Sequence, residues 1–153
     1  MTPEPSRTLA REARWVWRGE QLLGWGVAVA VSLIVAAQLD GALAVALRVI
    51  PAAGLLLGVT LVPSLRWRRW RWEVRPEAID IRHGTLTIRR TLVPMLRVQH
   101  VDTTRGVVEQ ALDLATVVVH TAAGSHRIPL LSVRDAAEVR DRIADLARTA
   151  DEP

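Results

Sequence analysis

The sequence predicts an α+β membrane protein, in which a two-helix transmembrane hairpin precedes a small β-rich domain closed by a C-terminal helix. Three observations lead there. Leu22 to Leu39 carries no charge and Ala42 to Val62 carries only Arg48, with Gln38-Leu39-Asp40-Gly41 between them. An Arg/Trp-rich run follows from Arg66 to Arg75. Beyond it the apolar period changes from helical to two, and returns to helical at the C-terminus.

An apolar stretch of about 18 residues or more spans a bilayer core as a helix. Lipid offers the backbone no partners, so both spans are helices and the short connection is a tight turn. Arg7, Arg11, Arg14 and Arg18 precede the first span, and Arg66, Arg68, Arg69, Arg71 and Arg75 follow the second, whereas the loop holds only Asp40. Basic flanks stay on the cytoplasmic side, which places both termini in the cytoplasm and the protein in the cell (inner) membrane. Tryptophan follows the same asymmetry. Trp15, Trp17 and Arg18 on one flank, and Arg66, Trp67, Arg68, Arg69, Trp70, Arg71 and Trp72 on the other, are expected at the headgroup level, against anionic lipid. Val35-Ala36-Ala37 before Gln38 faintly suggests a cleaved secretory signal, but the apolar run exceeds a signal's usual core of about 7–15 residues and a second span follows at once.

The expected domains are therefore an arm over 1–20, the hairpin over 21–64, a juxtamembrane segment over 65–75 and a soluble domain over 76–150. About 85 residues suffice for one small core. Residues 1 to about 8 read as a disordered lead-in. Every one of the 20 basic residues is arginine, and the net charge is +4, with the excess beside the membrane rather than spread over the domain. That distribution argues against a nucleic-acid partner. The absence of cysteine excludes disulfides and thiolate chemistry.

Within the soluble part, Ile79 and Ile81 alternate with Asp80 and Arg82, and Leu86 and Ile88 with Thr85, Thr87 and Arg89, around the turn signal His83-Gly84. This predicts a hairpin over 78–90. Val93-Pro94 is expected to interrupt, a third strand to run from Arg97 to Thr104, and Gly106 to end it. Leu114 to Thr121, rich in β-branched residues, reads as a strand buried on both faces, turning at Ala122–Ser125 into His126–Leu130. Ser132 and Asp135 have capping-box spacing. Ala136, Val139, Ile143, Leu146 and Ala147 then recur at threes and fours, predicting a helix over 133–148 with Asp141, Arg142 and Asp145 on its wet side.

Leu92-Val-Pro-Met-Leu-Arg-Val-Gln-His-Val-Asp-Thr-Thr-Arg-Gly106 resembles a stretch of bacterial pleckstrin-homology-like membrane proteins of the YdbS type, where Pro-x-x-Arg-[Ile/Val]-Gln-x-Val-Asp leads to a glycine. Leu114 to Ser125 looks like the next strand and turn of that family. The plan of two spans, a Trp/Arg junction and a domain is similar over roughly residues 20–148. The resemblance implies a PH-like β-sandwich or barrel capped by a helix, and no known catalysis. Gln110-Ala-Leu-Asp113 departs from it, since the family usually has Arg and a Gly before this strand.

No cofactor or metal is expected. His83, His100, His120 and His126 match no ligand spacing, and no nucleophile motif accompanies His100 and Asp102. Arg97, Gln99, His100, Asp102 and Arg105 form the candidate recognition surface, set against a purely local role at a bulge near Gly106. Arg48 either snorkels to the outer headgroups or meets another subunit. Gly54 and Gly58 permit close helix packing, within the hairpin or between chains. The expected function is non-enzymatic: a membrane-tethered module that docks a membrane or envelope protein, or a second copy. The alternative is a module that reads anionic lipid.

Overall fold

The computed structural model describes residues 4–85 and 87–151. The chain divides into two compact units, Arg14–Leu65 and the remainder. Helix α1 spans Ala13–Ala36 and α2 spans Gly41–Arg69. Only 11% of the most apolar window of each is buried within the protein, which separates them from the core helices of a soluble fold.

Small residues let the two helices of the hairpin approach. The Trp25 ring lies across Gly54 and Gly58. A Cβ at Gly54 would stand 2.4 Å from Cζ3 of that ring, and one at Gly58 would stand 2.7 Å from its Nε1. The Gly-x-x-x-Gly pattern therefore serves the internal hairpin. Arg48 does too: its guanidinium donates to the carbonyl of Ala36 at 3.1 Å. Ala36 ends α1, where carbonyls lack helical partners and the helix dipole is negative, so a cation is favourable there.

The other unit contains two three-stranded antiparallel sheets. The first is β1 (Arg71–Val74), β2 (Ala78–His83) and β3 (Arg89–Pro94) in that order; the second is β4 (Val98–Thr104), β5 (Leu114–Thr121) and β6 (Gly124–Ser132). A 3-10 turn, Met95–Arg97, joins the sheets, a short helix α3 (Val107–Ala111) precedes β5, and α4 (Val133–Asp151) closes the domain. The core is formed by Ile79, Ile81, Val93 and Met95 from the first half, Leu114, Val117, Val119, Ile128 and Leu131 from the second, and Ala136, Val139 and Ile143 from α4, all buried. Ser132 Oγ accepts from the N–H of Asp135 at 3.1 Å, as the capping spacing requires.

The hairpin of β2 and β3 is present, but its second strand starts at Arg89 and continues through Val93 and Pro94, which pair with Ile79 and Ala78. Pro94 is tolerated because β3 is an edge strand and loses no ladder bond there. Leu86 lies outside the described residues. Gly84 has φ +125°, and a Cβ on it would stand 1.9 Å from the carbonyl oxygen of Thr87, so the turn requires glycine. Asp113, in the segment departing from the family pattern, adopts φ 53°, a left-handed conformation that Asp accepts more readily than most residues. The helix α3 had no periodic signal, being only five residues long. Glu109 holds it by accepting from the N–H of Gly106 at 2.7 Å and from the hydroxyl of Thr116.

The expected disordered lead-in is corrected for its described residues. Arg7 forms a β-bridge with Trp72, by N–H to carbonyl bonds of 3.1 and 3.0 Å in the two directions. The Ala10 N–H donates to the Leu130 carbonyl at 3.2 Å. Pro5 and Leu9 are buried. Residues 1–3 lie outside the description. The boundaries shift accordingly: the start of the arm and the segment 66–75 belong to the β-rich unit.

Replacing Gly54 by valine should weaken the hairpin by about 1–3 kcal/mol through overpacking against Trp25. Thermal unfolding in detergent should show a lower midpoint for this variant than for Ala53→Val, whose parent residue is exposed.

Candidate functional site

The aromatic residues expected at the headgroup level divide. Trp15 is 61% exposed, with the Arg18 guanidinium 4.9 Å above its ring. Trp17 is buried. Arg68 and Arg69 are exposed, and Arg66, Trp67 and Arg71 are half-buried. Trp70 and Trp72 are corrected: both lie inside the β-rich unit, at 7% and 2% exposure. A buried indole needs an acceptor for its N–H, and for Trp72 the arm supplies one. Trp72 donates to the Thr8 carbonyl at 3.2 Å, and Trp67 donates to those of Leu9 and Ala10 at 3.2 and 3.0 Å. These rings latch the N-terminal arm. Arg71 turns back to the Trp70 carbonyl at 2.8 Å.

Trp70 stacks on His83 with centroids 5.2 Å apart. Burial, followed by the nearby Arg89 and Arg66 guanidinium groups, holds the His83 imidazole below its ordinary pKa.

The proposed recognition residues also separate once the register is known. Between Val98 and His100 the pairing of β4 with β5 steps by one, leaving Gln99 as a bulge; Val98 faces Thr121 and His100 faces His120. The bulge is thus at Gln99 rather than near Gly106. Arg97 and Gln99, with Leu96, Val98, Ala122 and Ala123, line an open hollow of about 630 Å³. Arg105 is used internally: its guanidinium donates to the Leu114 carbonyl at 2.9 Å and to Asp113 at 3.1 Å. His100 and Asp102 join a residue absent from the candidate set, His120. The two imidazoles stack at 4.2 Å, and Asp102 Oδ2 lies 3.5 Å from His100 Nε2 and 3.3 Å from His120 Nε2. Spacing along the chain gave no reason to pair residues twenty apart, since only the β4–β5 register does so. His126 pairs opposite Val119, on the other face, and His83 belongs to the first sheet.

A second groove runs between the edge of β4 and α4. Val98, Gln99, His100 and Val101 form one wall, and Ala144, Ala147 and Arg148 the other, around about 260 Å³. Beyond Val98, β4 makes no backbone hydrogen bond outside its pairing with β5 among the described residues.

Two long apolar helices joined to two small sheets and a closing C-terminal helix define a membrane protein carrying a PH-like domain. The family model of the bacterial PH domain matches residues 24–147. UPF0699 transmembrane protein YdbS of Bacillus subtilis (strain 168) is 33% identical over 161 residues, covering 99% of each chain. The chain belongs to the bacterial PH domain family. Neither description names an enzymatic activity, and no solved structure matches.

The depressed pKa of His83 has a consequence for stability. The unfolded chain takes up the proton at about pH 6.5 and the folded chain only at lower pH. The contribution of neutral His83 is therefore complete above pH 6.5 and declines as the pH falls below it. Thermal midpoints measured from pH 7.5 to 5 should fall less in His83→Gln than in the parent.

Proposed function

We propose that this protein is a non-enzymatic docking module of the cell (inner) membrane. In this reading both termini are cytoplasmic, and the PH-like domain binds an extended segment of a partner membrane or envelope protein, which adds as a strand along β4. One observation carries it: the N-terminal arm bridges to β1 and bonds to β6, and of the two edges left open among the described residues, β3 ends in Pro94 whereas β4 borders the groove toward α4. An exposed edge is a template for another strand. Ala144 and Ala147 leave room for one, and the bulged Gln99 can bond its side chains. A second reading, binding of anionic headgroups, has support in Arg68 and Arg69, exposed at the end of α2. The inward position of Trp70 and Trp72 removes two of the aromatic anchors on which that reading drew.

Purification of the full-length protein from its native membrane in mild detergent, followed by mass spectrometry, should give a stoichiometric protein partner. Ala144→Arg and Gln99→Arg should lose that partner at an unchanged melting temperature, and Asp141→Arg on the wet face of α4 should keep it. Retention of the partner by Ala144→Arg rules out the groove. A protein that comes away alone with anionic lipid enriched favours the second reading.

The chain has no cysteine, so single replacements report topology cleanly. On intact cells an impermeant maleimide should label Asp40→Cys and leave Asp141→Cys unlabelled until the membrane is opened. The reverse pattern would overturn the orientation.

A further inference from the structure

We propose that His100, His120 and Asp102 form a binding site for a divalent transition cation of the zinc type on the outer face of the second sheet. The bulge at Gln99 builds this arrangement. Had the pairing continued regularly from Val98 and Thr121, with Gln99 opposite His120, His100 would lie against Val119 and the two histidines would face opposite sides. With the bulge, His100 faces His120 directly, and Asp102, two residues on, projects from the same side. Bulges that re-aim a side chain recur beside functional sites.

The distances suit a shared ion. Tetrahedral coordination with bonds of about 2.0–2.1 Å sets neighbouring donor atoms roughly 3.3 Å apart. Asp102 Oδ2 lies 3.3 Å from His120 Nε2 and 3.5 Å from His100 Nε2, and the three donor atoms all fall within 4.8 Å of one another. The imidazole planes are 9° from parallel, so their lone pairs converge on one ion only after the rings rotate. The side chains of His100 and Asp102 are 60% and 56% exposed and that of His120 is 35% exposed, which leaves them that freedom. Two imidazoles and one carboxylate are a donor set that zinc, nickel and copper accept and that calcium and magnesium do not favour. By register Arg127 on β6 lies one strand beyond Val118, the partner of Asp102, and Arg148, which shares the groove with His100, is paired with Asp145 at 2.8 Å. Three protein donors leave the remaining positions to water.

The test is titration of Zn²⁺ into the full-length protein in detergent, purified without a polyhistidine tag, by isothermal calorimetry. One saturable site per chain is expected, together with a rise in melting temperature on adding Zn²⁺. His120→Ala and Asp102→Asn should each weaken binding at least about tenfold and lose the Zn²⁺-dependent rise while melting normally without metal. His126→Ala, on the opposite face, should bind as the parent does. No saturable binding by the parent overturns the proposal and leaves Asp102 as an acceptor for imidazole N–H groups. Equal binding by parent and His120→Ala also overturns it, because the ion would then sit elsewhere.

Discussion

The N-terminal arm is the constraint on which the β-rich unit depends. Residues 7–10 reach both sheets: Arg7 bridges to Trp72 on β1, and Ala10 bonds to Leu130 on β6. Two indoles organise this contact, Trp67 and Trp72, both through N–H donors to arm carbonyls and Trp72 also through burial of its ring beneath the Arg7 guanidinium, 5.4 Å from the ring centre. The arm and β1 are separated in sequence by the entire transmembrane hairpin. One domain therefore holds both the entry and the exit of that hairpin, and no cut at residue 65 or 75 separates an intact domain from its anchor.

The arm also explains which edges remain. A short two-sheet domain exposes strand edges wherever nothing covers them, and proteins blunt such edges with loops, charge or bulges. Here the arm bridges to β1 at Trp72 and β3 ends in Pro94, while β4 carries a bulge and, beyond Val98, has no outward backbone bond among the described residues. Charge on the first sheet is balanced locally. Arg71, Arg82 and Arg90 lie directly opposite one another across three strands, an arrangement that costs stability unless neutralised. Glu4 pairs with Arg82 at 2.7 Å. The fully buried carboxylate of Asp80 receives Arg90 through both Nε and a terminal nitrogen, at 3.0 and 2.6 Å, with Arg75 at 3.9 Å. Two-point contact of this kind raises the Arg90 pKa and supplies the partner that a buried carboxylate needs.

Inside the membrane-spanning hairpin the same economy of polar groups holds. Its only charged side chain between residues 22 and 62 other than Asp40 in the loop is Arg48, and that group meets the end of α1. The Trp25 ring lies against α2 where two glycines, Gly54 and Gly58, leave room for it. Helix association in lipid rests on close packing and on such hydrogen bonds, because apolar burial supplies no driving force there.

The sequence by itself determined the class of protein: two spans, a β-rich domain and a closing helix, each set by apolar period and length, with the Pro-x-x-Arg-Val-Gln run pointing to the family. Buried strands and capped helices are local patterns, and they were legible. Tertiary structure alone decided how residues distant in sequence combine. Asp80 alternates like a solvated residue yet is fully buried, because Arg90 and Arg75 from its neighbours enclose it. Trp72 reads as a headgroup anchor and is instead a latch, because the arm brings it a carbonyl. His100 and His120 meet because one extra residue, Gln99, sets the register, and a register is a property of two strands rather than of either one.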